Sequence, residues 1–243
     1  VLTLSACSNT NQDSSLNSNS ENSSQTAETN TNINSSDILV VNSIDEIEEM
    51  ATSDITATVN TLRTAYDQLA AEINTYDKYV ENVDQIESFY NQIIQTNQLL
   101  CIRMREYALN YATPIVESDS SNDDKYDDLD MIFDVIYDDG SDEIYDEIYD
   151  SLTEDMYDTY YDGILDDAYD TVDYSEWFDY RSDEYEFWFD TRSDLYDQWY
   201  DLRSDVYDFW SDLRSALWND DIEKANEIIS DFKEDINTLK TDE

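Results

Sequence analysis

Trp177, Trp188, Trp199 and Trp210 recur every eleven residues, and Arg181, Arg192, Arg203 and Arg214 follow them at a constant distance of four. Side chains three or four apart on a helix are neighbours, so each guanidinium can reach an aromatic face. Tyr185, Tyr196 and Tyr207 stand four residues after the first three arginines, and Phe178, Phe189 and Tyr200 three before them. The chemistry of such a set is cation–π contact and ion pairing rather than bond-making. Two uses fit the pattern. Tryptophans on a continuous seam pack against a second helix, each arginine meeting that helix's Asp or Glu, and this is the favoured expectation. Left exposed, the ladder would stack on the sugar rings of a glycan, which makes these Trp and Arg residues the candidate interaction surface.

Other chemistry finds little support. The chain has no histidine, no Gly-rich phosphate loop and no G-x-S-x-G elbow. Carboxylates can pair for acid–base work, but with 60 acidic residues any such pairing is uninformative. No enzyme activity is expected. An EF-hand loop needs acidic or amide ligands at positions 1, 3 and 5, Gly at 6 and Glu at 12. Around Gly163 the run is Asp158, Tyr160, Asp162, with Tyr169 at the twelfth place; around Gly140 the first ligand would be Val135. Both fail, so no specific metal site is expected, only weak, diffuse binding of Ca²⁺ or Mg²⁺, and no cofactor. The net charge of −48 excludes nucleic acid as a partner, because phosphates need a basic surface. Cys101, between Leu100 and Ile102 on an apolar seam, reads as a core residue.

The elements that must position these residues are helices. Two glycines and one proline in 243 residues leave little material for turns. Residues 175–218 are one eleven-residue unit written four times, SEWFDYRSDEY to DFWSDLRSALW. Eleven residues are three helical turns, so Trp177, Glu184, Trp188, Leu195, Trp199, Leu202, Val206, Trp210, Leu213 and Leu217 fall on one straight or slightly right-handed seam. Residues 43–115 read as one long heptad helix of about 105 Å, with Glu87 and Asn97 as its polar exceptions. Ser43 offers a capping box with Glu46. A break within residues 74–82 is the alternative. Thr113-Pro114 should end that helix.

An acidic, aromatic-rich helical region is expected over 125–240. Gly140 should break its first helix, Ser141 cap the next, and Gly163 kink it. Ile144, Ile148, Leu152, Met156 and Tyr160 step by four, a stripe that drifts around an α-helix. A last amphipathic helix should start at Asp220-Asp221-Ile222-Glu223. The fold class is therefore all-α, an elongated, coiled-coil-like long-helix bundle with heptad and hendecad segments and a disordered N-terminal tether.

Leu4-Ser5-Ala6-Cys7 resembles the lipobox of bacterial lipoproteins. The resemblance implies that residues 1–6 are a signal-peptide remnant and that Cys7 is lipidated. It also implies a membrane partner through that lipid anchor, at an extracytoplasmic bacterial surface. Residues 8–36, almost wholly Ser, Asn, Thr and Gln, extend this to a disordered linker over 7–36. The expected function is a non-enzymatic surface-anchored lipoprotein, an acidic helical spacer or protein-interaction module, self-association or a surface protein being the remaining partner classes. A glycan-binding adhesin and a divalent-cation-binding lipoprotein are the alternatives.

Overall fold

Five long helices carry residues 44–241, the span that the computed structural model describes, with side chains from residue 49 onward; no strand occurs among the described residues. α1 is Ile44–Glu72 and α2 is Tyr76–Glu117; α3 spans residues 122–168, α4 is Tyr174–Trp218 and α5 is Ile222–Leu239. The expected all-α class is what the structure has. Ser43, Cys7 and the 8–36 linker lie outside the described residues. No described helix is long and apolar enough to cross a membrane.

The helices alternate in direction. α2 returns along α1, where Tyr107 donates to Asp54 at 2.6 Å and Arg103 pairs with the same carboxylate at 3.3 Å. α3 runs beside α1, and Arg63 bridges to Glu147, Ser151 and Asp155. α4 reverses α3 and lies parallel to α2, so that Tyr79, Asn97 and Arg105 meet Glu184, Gln198 and Asp205 in rising order. α5 folds back onto α2 and α4, stacking Phe232 on Phe209 at 4.0 Å and pairing Lys240 with Glu106. Between the helices lies a core of Ile55, Leu62, Ile86, Ile93, Met104, Leu129, Ile136, Leu202 and Leu213, all essentially inaccessible.

The single helix expected over 43–115 is two helices. The chain turns at Ile73–Thr75, and Thr75 caps α2 by accepting from the Lys78 amide. Asn and Thr are weak helix formers, and reversal lets α1 bury its apolar face on α2 instead of leaving it in water. The turn also resets the register. Up to Ile94, α2 buries Tyr79, Ile86, Tyr90 and Ile93, so Glu87 is exposed rather than a polar break in a seam. From Asn97 the expected positions, Cys101, Met104 and Ala108, are buried. Pro114 does not end α2, which runs to Glu117. Only one turn follows the proline, and Lys125 donates to the Val116 carbonyl at 2.8 Å, closing that end from α3.

Nor do the glycines interrupt α3. Gly140 has φ −67° and ψ −43°, and every junction in residues 122–168 keeps right-handed helical angles. What changes is the winding. Phe133–Gly140, Tyr145–Leu152 and Asp158–Leu165 are π-helical, with α-helical Ser141–Ile144 and Thr153–Tyr157 between them. The sequence beneath is a twelve-residue unit written three times, FDVIYDDGSDEI, YDEIYDSLTEDM and YDTYYDGILDDA. Bonding to the fifth residue widens the turn, so twelve residues make about three turns, at about four per turn. The stripe stepping by four therefore does not drift. Ile144, Ile148, Leu152, Met156 and Tyr160 all stay buried on one face.

Candidate functional site

Eleven α-helical residues of α4 and twelve partly π-helical residues of α3 complete the same three turns, and this match sets up a repeating contact. Trp177, Trp188, Trp199 and Trp210 meet Tyr169, Tyr157, Tyr145 and Phe133 with ring centroids 4.8, 4.7, 4.9 and 4.7 Å apart. Along the contact α4 advances by eleven residues while α3 retreats by twelve. Arg181, Arg192 and Arg203 each lie 4.0 Å over Tyr161, Tyr149 and Tyr137, and Arg214 lies 3.6 Å over Tyr126. The second face of each guanidinium is its own tryptophan four residues back, at 4.6–5.3 Å.

Carboxylates of α3 close each box. Arg181 pairs with Asp166 at 2.8 Å, Arg192 with Asp150 at 3.1 Å, Arg203 with Asp142 at 2.6 Å and Arg214 with Asp130 at 2.8 Å. Glu154 lies 4.0 Å from Arg192 and completes the acidic column Asp166, Glu154, Asp142, Asp130, which steps by twelve. Within the π-helical repeats the tyrosine and this acid are five residues apart, as in Tyr149 and Glu154. At the α-helical end, Tyr126 and Asp130 are four apart. Each spacing is one turn of its own helix type. The wide turns also leave carbonyls to satisfy. Thr153 and Ser141 hydroxyls donate to the Tyr149 and Tyr137 carbonyls, Arg192 adds a bond to Tyr149 O at 3.0 Å, and the Trp177 indole donates to Leu165 O at 2.6 Å.

The predicted Trp and Arg residues thus come together inside the α3–α4 seam. Trp177 is buried, the other three tryptophans are half-buried, and each guanidinium side chain is 19–20 % exposed. Their aromatic partners differ from those the spacing suggested. Helical side chains lean toward the N-terminus, so each arginine reaches back to its tryptophan and not forward to the tyrosine four residues on.

The residues left out of the seam are the more telling ones. Tyr185, Tyr196, Tyr207, Phe178, Phe189 and Tyr200 stand 44–58 % exposed along one flank of α4. Tyr174 with Phe178 and Tyr185 with Phe189 form stacked pairs at 6.2 Å. The tyrosines rest at the seam's edge, Tyr185 lying 6.0 Å from Tyr161 and 5.7 Å from Trp188. An acidic residue follows each ring, as in Phe178-Asp179, Tyr185-Glu186, Phe189-Asp190, Tyr196-Asp197 and Tyr200-Asp201. These carboxylates are exposed, and among the described residues none of them is ion-paired. The rings' spacing of three or four from Arg181, Arg192 and Arg203 points instead to contact with those arginines. The aromatic-acid dipeptide, which α3 repeats at Tyr137-Asp138, Tyr149-Asp150 and Tyr161-Asp162, is the signal that would have set them apart.

A second polar feature sits deep in the bundle. Glu184 is inaccessible and accepts from Tyr79 at 2.8 Å and Tyr90 at 2.7 Å. Burial pushes its carboxyl up to about 7, while the hydroxyl bonds from Tyr90 and Tyr79 pull it partly back. Burial first, and the carboxylates of Asp190 and Asp197 second, raise Asp194 on the outer side of α4. Asn97 donates to Gln198 at 2.8 Å and to the Cys101 sulfur at 3.7 Å; burial pushes that thiol up to about 12. Among the described residues, no group of three or more Asp, Glu or Cys side chains converges to hold a metal ion. No family model, curated protein or solved structure matches this chain.

Proposed function

We propose that this chain is a non-enzymatic interaction module of a bacterial cell surface, anchored by lipidation at Cys7 and presenting the outer flank of α4 from the end of its Ser/Asn/Thr linker. The observation that carries the reading is a division within each eleven-residue unit. Trp and Arg are consumed in holding α3, whereas Phe178, Phe189 and Tyr200 on the outer flank, each followed by an acid, make no ring contact with another helix among the described residues. Exposed large aromatic patches on a soluble surface are a marker of recognition. Tyrosine is suited to that role because it offers wide contact area at small entropic cost. The sugar-stacking alternative moves with this observation from the tryptophans to Phe178, Phe189 and Tyr200.

Two measurements test the parts separately. Wild-type chain expressed with its leader should incorporate a fatty-acid label that Cys7→Ser does not; an unlabelled wild type refutes the anchor. Phe178→Asn/Phe189→Asn/Tyr200→Asn should keep the wild-type melting temperature and lose binding on peptide and glycan arrays. Equal array binding by both chains refutes the surface.

A further inference from the structure

We infer that the outer flank of α4 is a docking track for an arginine-rich polypeptide, taking one cationic side chain per eleven-residue unit. The inference rests on the interaction-module reading and names its partner class. Its first support is a receptor already present in the same molecule. Along α3, the dipeptide Tyr149-Asp150 holds Arg192 by its ring at 4.0 Å and its carboxylate at 3.1 Å, and the dipeptide Tyr137-Asp138 holds Arg203 by its ring at 4.0 Å with its carboxylate at 3.7 Å. The outer flank of α4 carries dipeptides of the same kind, Phe189-Asp190, Tyr196-Asp197 and Tyr200-Asp201, and among the described residues no cation lies on them. A guanidinium has a flat face for the ring and a fork for the carboxylate, so it uses both halves of such a dipeptide.

Charge selects the occupant. The chain carries −48, and Arg63, Arg103, Arg105, Arg181, Arg192, Arg203 and Arg214 are all engaged in ion pairs within the bundle. A second copy therefore has no arginine to offer this flank and brings a net charge of the same sign. Crowding on the flank adds to this: after burial, the larger cause, the Asp190 and Asp197 carboxylates also raise Asp194, and an incoming cation relieves that repulsion. The period is about 16.5 Å at 1.5 Å per residue. An extended peptide with a basic residue about every fifth position matches it at about 3.3 Å per residue.

Any polycation will be drawn to this protein at low salt, so the test must isolate the rings. A peptide with three arginines spaced five residues apart, and its all-lysine counterpart, are titrated against the full chain at about 0.5 M salt, where the Debye length is only a few ångströms. The expected result is tighter binding of the arginine peptide than of the lysine peptide. Phe178→Asn/Phe189→Asn/Tyr200→Asn, checked for an unchanged melt, should lose about ten-fold of that affinity. Equal affinity of wild type and variant, or no preference for arginine, overturns the inference. So does a glycan that binds the same flank and leaves the arginine peptide unbound. Cys7 labelling is read independently, so a failed anchor and a failed docking track give different results.

Discussion

Arg192 lies 4.0 Å over the ring of Tyr149 and donates to that residue's own carbonyl at 3.0 Å. The arginine thus reads both the side chain of the π-helical turn and the backbone group that the widened turn sets free. Arg192→Met keeps an apolar stem but removes the stacking, the Asp150 pair and the bond to Tyr149 O. It should destabilise the bundle by about 1–3 kcal/mol, seen as a lower melting temperature by circular dichroism. Arg192→Lys should recover little of this, because an ammonium cannot present a plane to the ring and a fork to the carboxylate together. A lysine variant that melts with the wild type would show that charge alone holds the seam.

The match of twelve residues to eleven makes an asymmetric prediction about length. Deleting Ser151 brings Tyr149 and Glu154 to a spacing of four, the spacing at which Tyr126 and Asp130 already serve Arg214. That repeat of α3 can then wind as plain α-helix through the same three turns. The deletion should cost about 1 kcal/mol, chiefly the Arg63 bond to the Ser151 hydroxyl at 2.6 Å. One alanine inserted after Ser193 instead displaces Trp199, Arg203, Trp210 and Arg214 by about 100° each. Their boxes should be lost together, with a far larger fall in melting temperature. Equal damage from the two changes would mean that the π-helical turns are not what keeps the repeats in step.

Much of this arrangement could be read from the chain, and the exceptions have physical causes. α4 and its buried Leu195, Leu202, Val206, Leu213 and Leu217 were legible because eleven residues are a whole number of α-turns. The α5 start was legible in Asp221, which accepts from the Lys224 amide. The α1–α2 turn was less so: apolar spacing records which side of a helix is buried and not whether the chain reverses, and that spacing continues unbroken through Ile73 and Tyr76. A period of four admits two solutions, a drifting α-helix or an undrifting π-rich one. Only the eleven-residue period of the partner decides between them, and the sequence does not say which segments pair. The partners of Glu184 are the clearest case of distance: it sat on the seam as a polar oddity, and Tyr79 and Tyr90 come from a helix about a hundred positions away.

Tryptophan fluorescence separates the seam from the surface. Trp218 is 79 % exposed beside Tyr126, while Trp177, Trp188, Trp199 and Trp210 lie in the α3–α4 contact. Acrylamide should quench a minor, freely accessible fraction of the emission, and Trp218→Phe should remove that fraction with little change in stability. If the variant still quenches as freely as the wild type, the seam tryptophans are open to solvent and the packed ladder is wrong.

Glu184 gives the bundle a pH response whose sign follows from its surroundings. Tyr79 and Tyr90 of α2 donate to it, Tyr160 of α3 faces the same pocket beside Tyr79, and Asp183 is the charged neighbour on its own helix. Burial raises its carboxyl from the ordinary 4.5 to about 7 in the folded state. A raised folded-state value means that the native form holds the proton more tightly than the unfolded chain. Its contribution to stability is then complete below the ordinary carboxylate range and is lost as pH rises through about 7. Wild-type stability should therefore fall between pH 5 and pH 8.5. Glu184→Gln, which stays neutral and can still accept from one tyrosine and donate to the other, should fall less. The gap between the two curves should shift by about 1–3 kcal/mol across that range in favour of the glutamine variant. Comparing the curves cancels the slope contributed by every other carboxylate, so parallel lines would show that Glu184 does not titrate there. Glu184→Leu separates charge from hydrogen bonding: it is equally neutral but leaves two buried hydroxyls unpaired, and should be less stable than the glutamine variant at every pH.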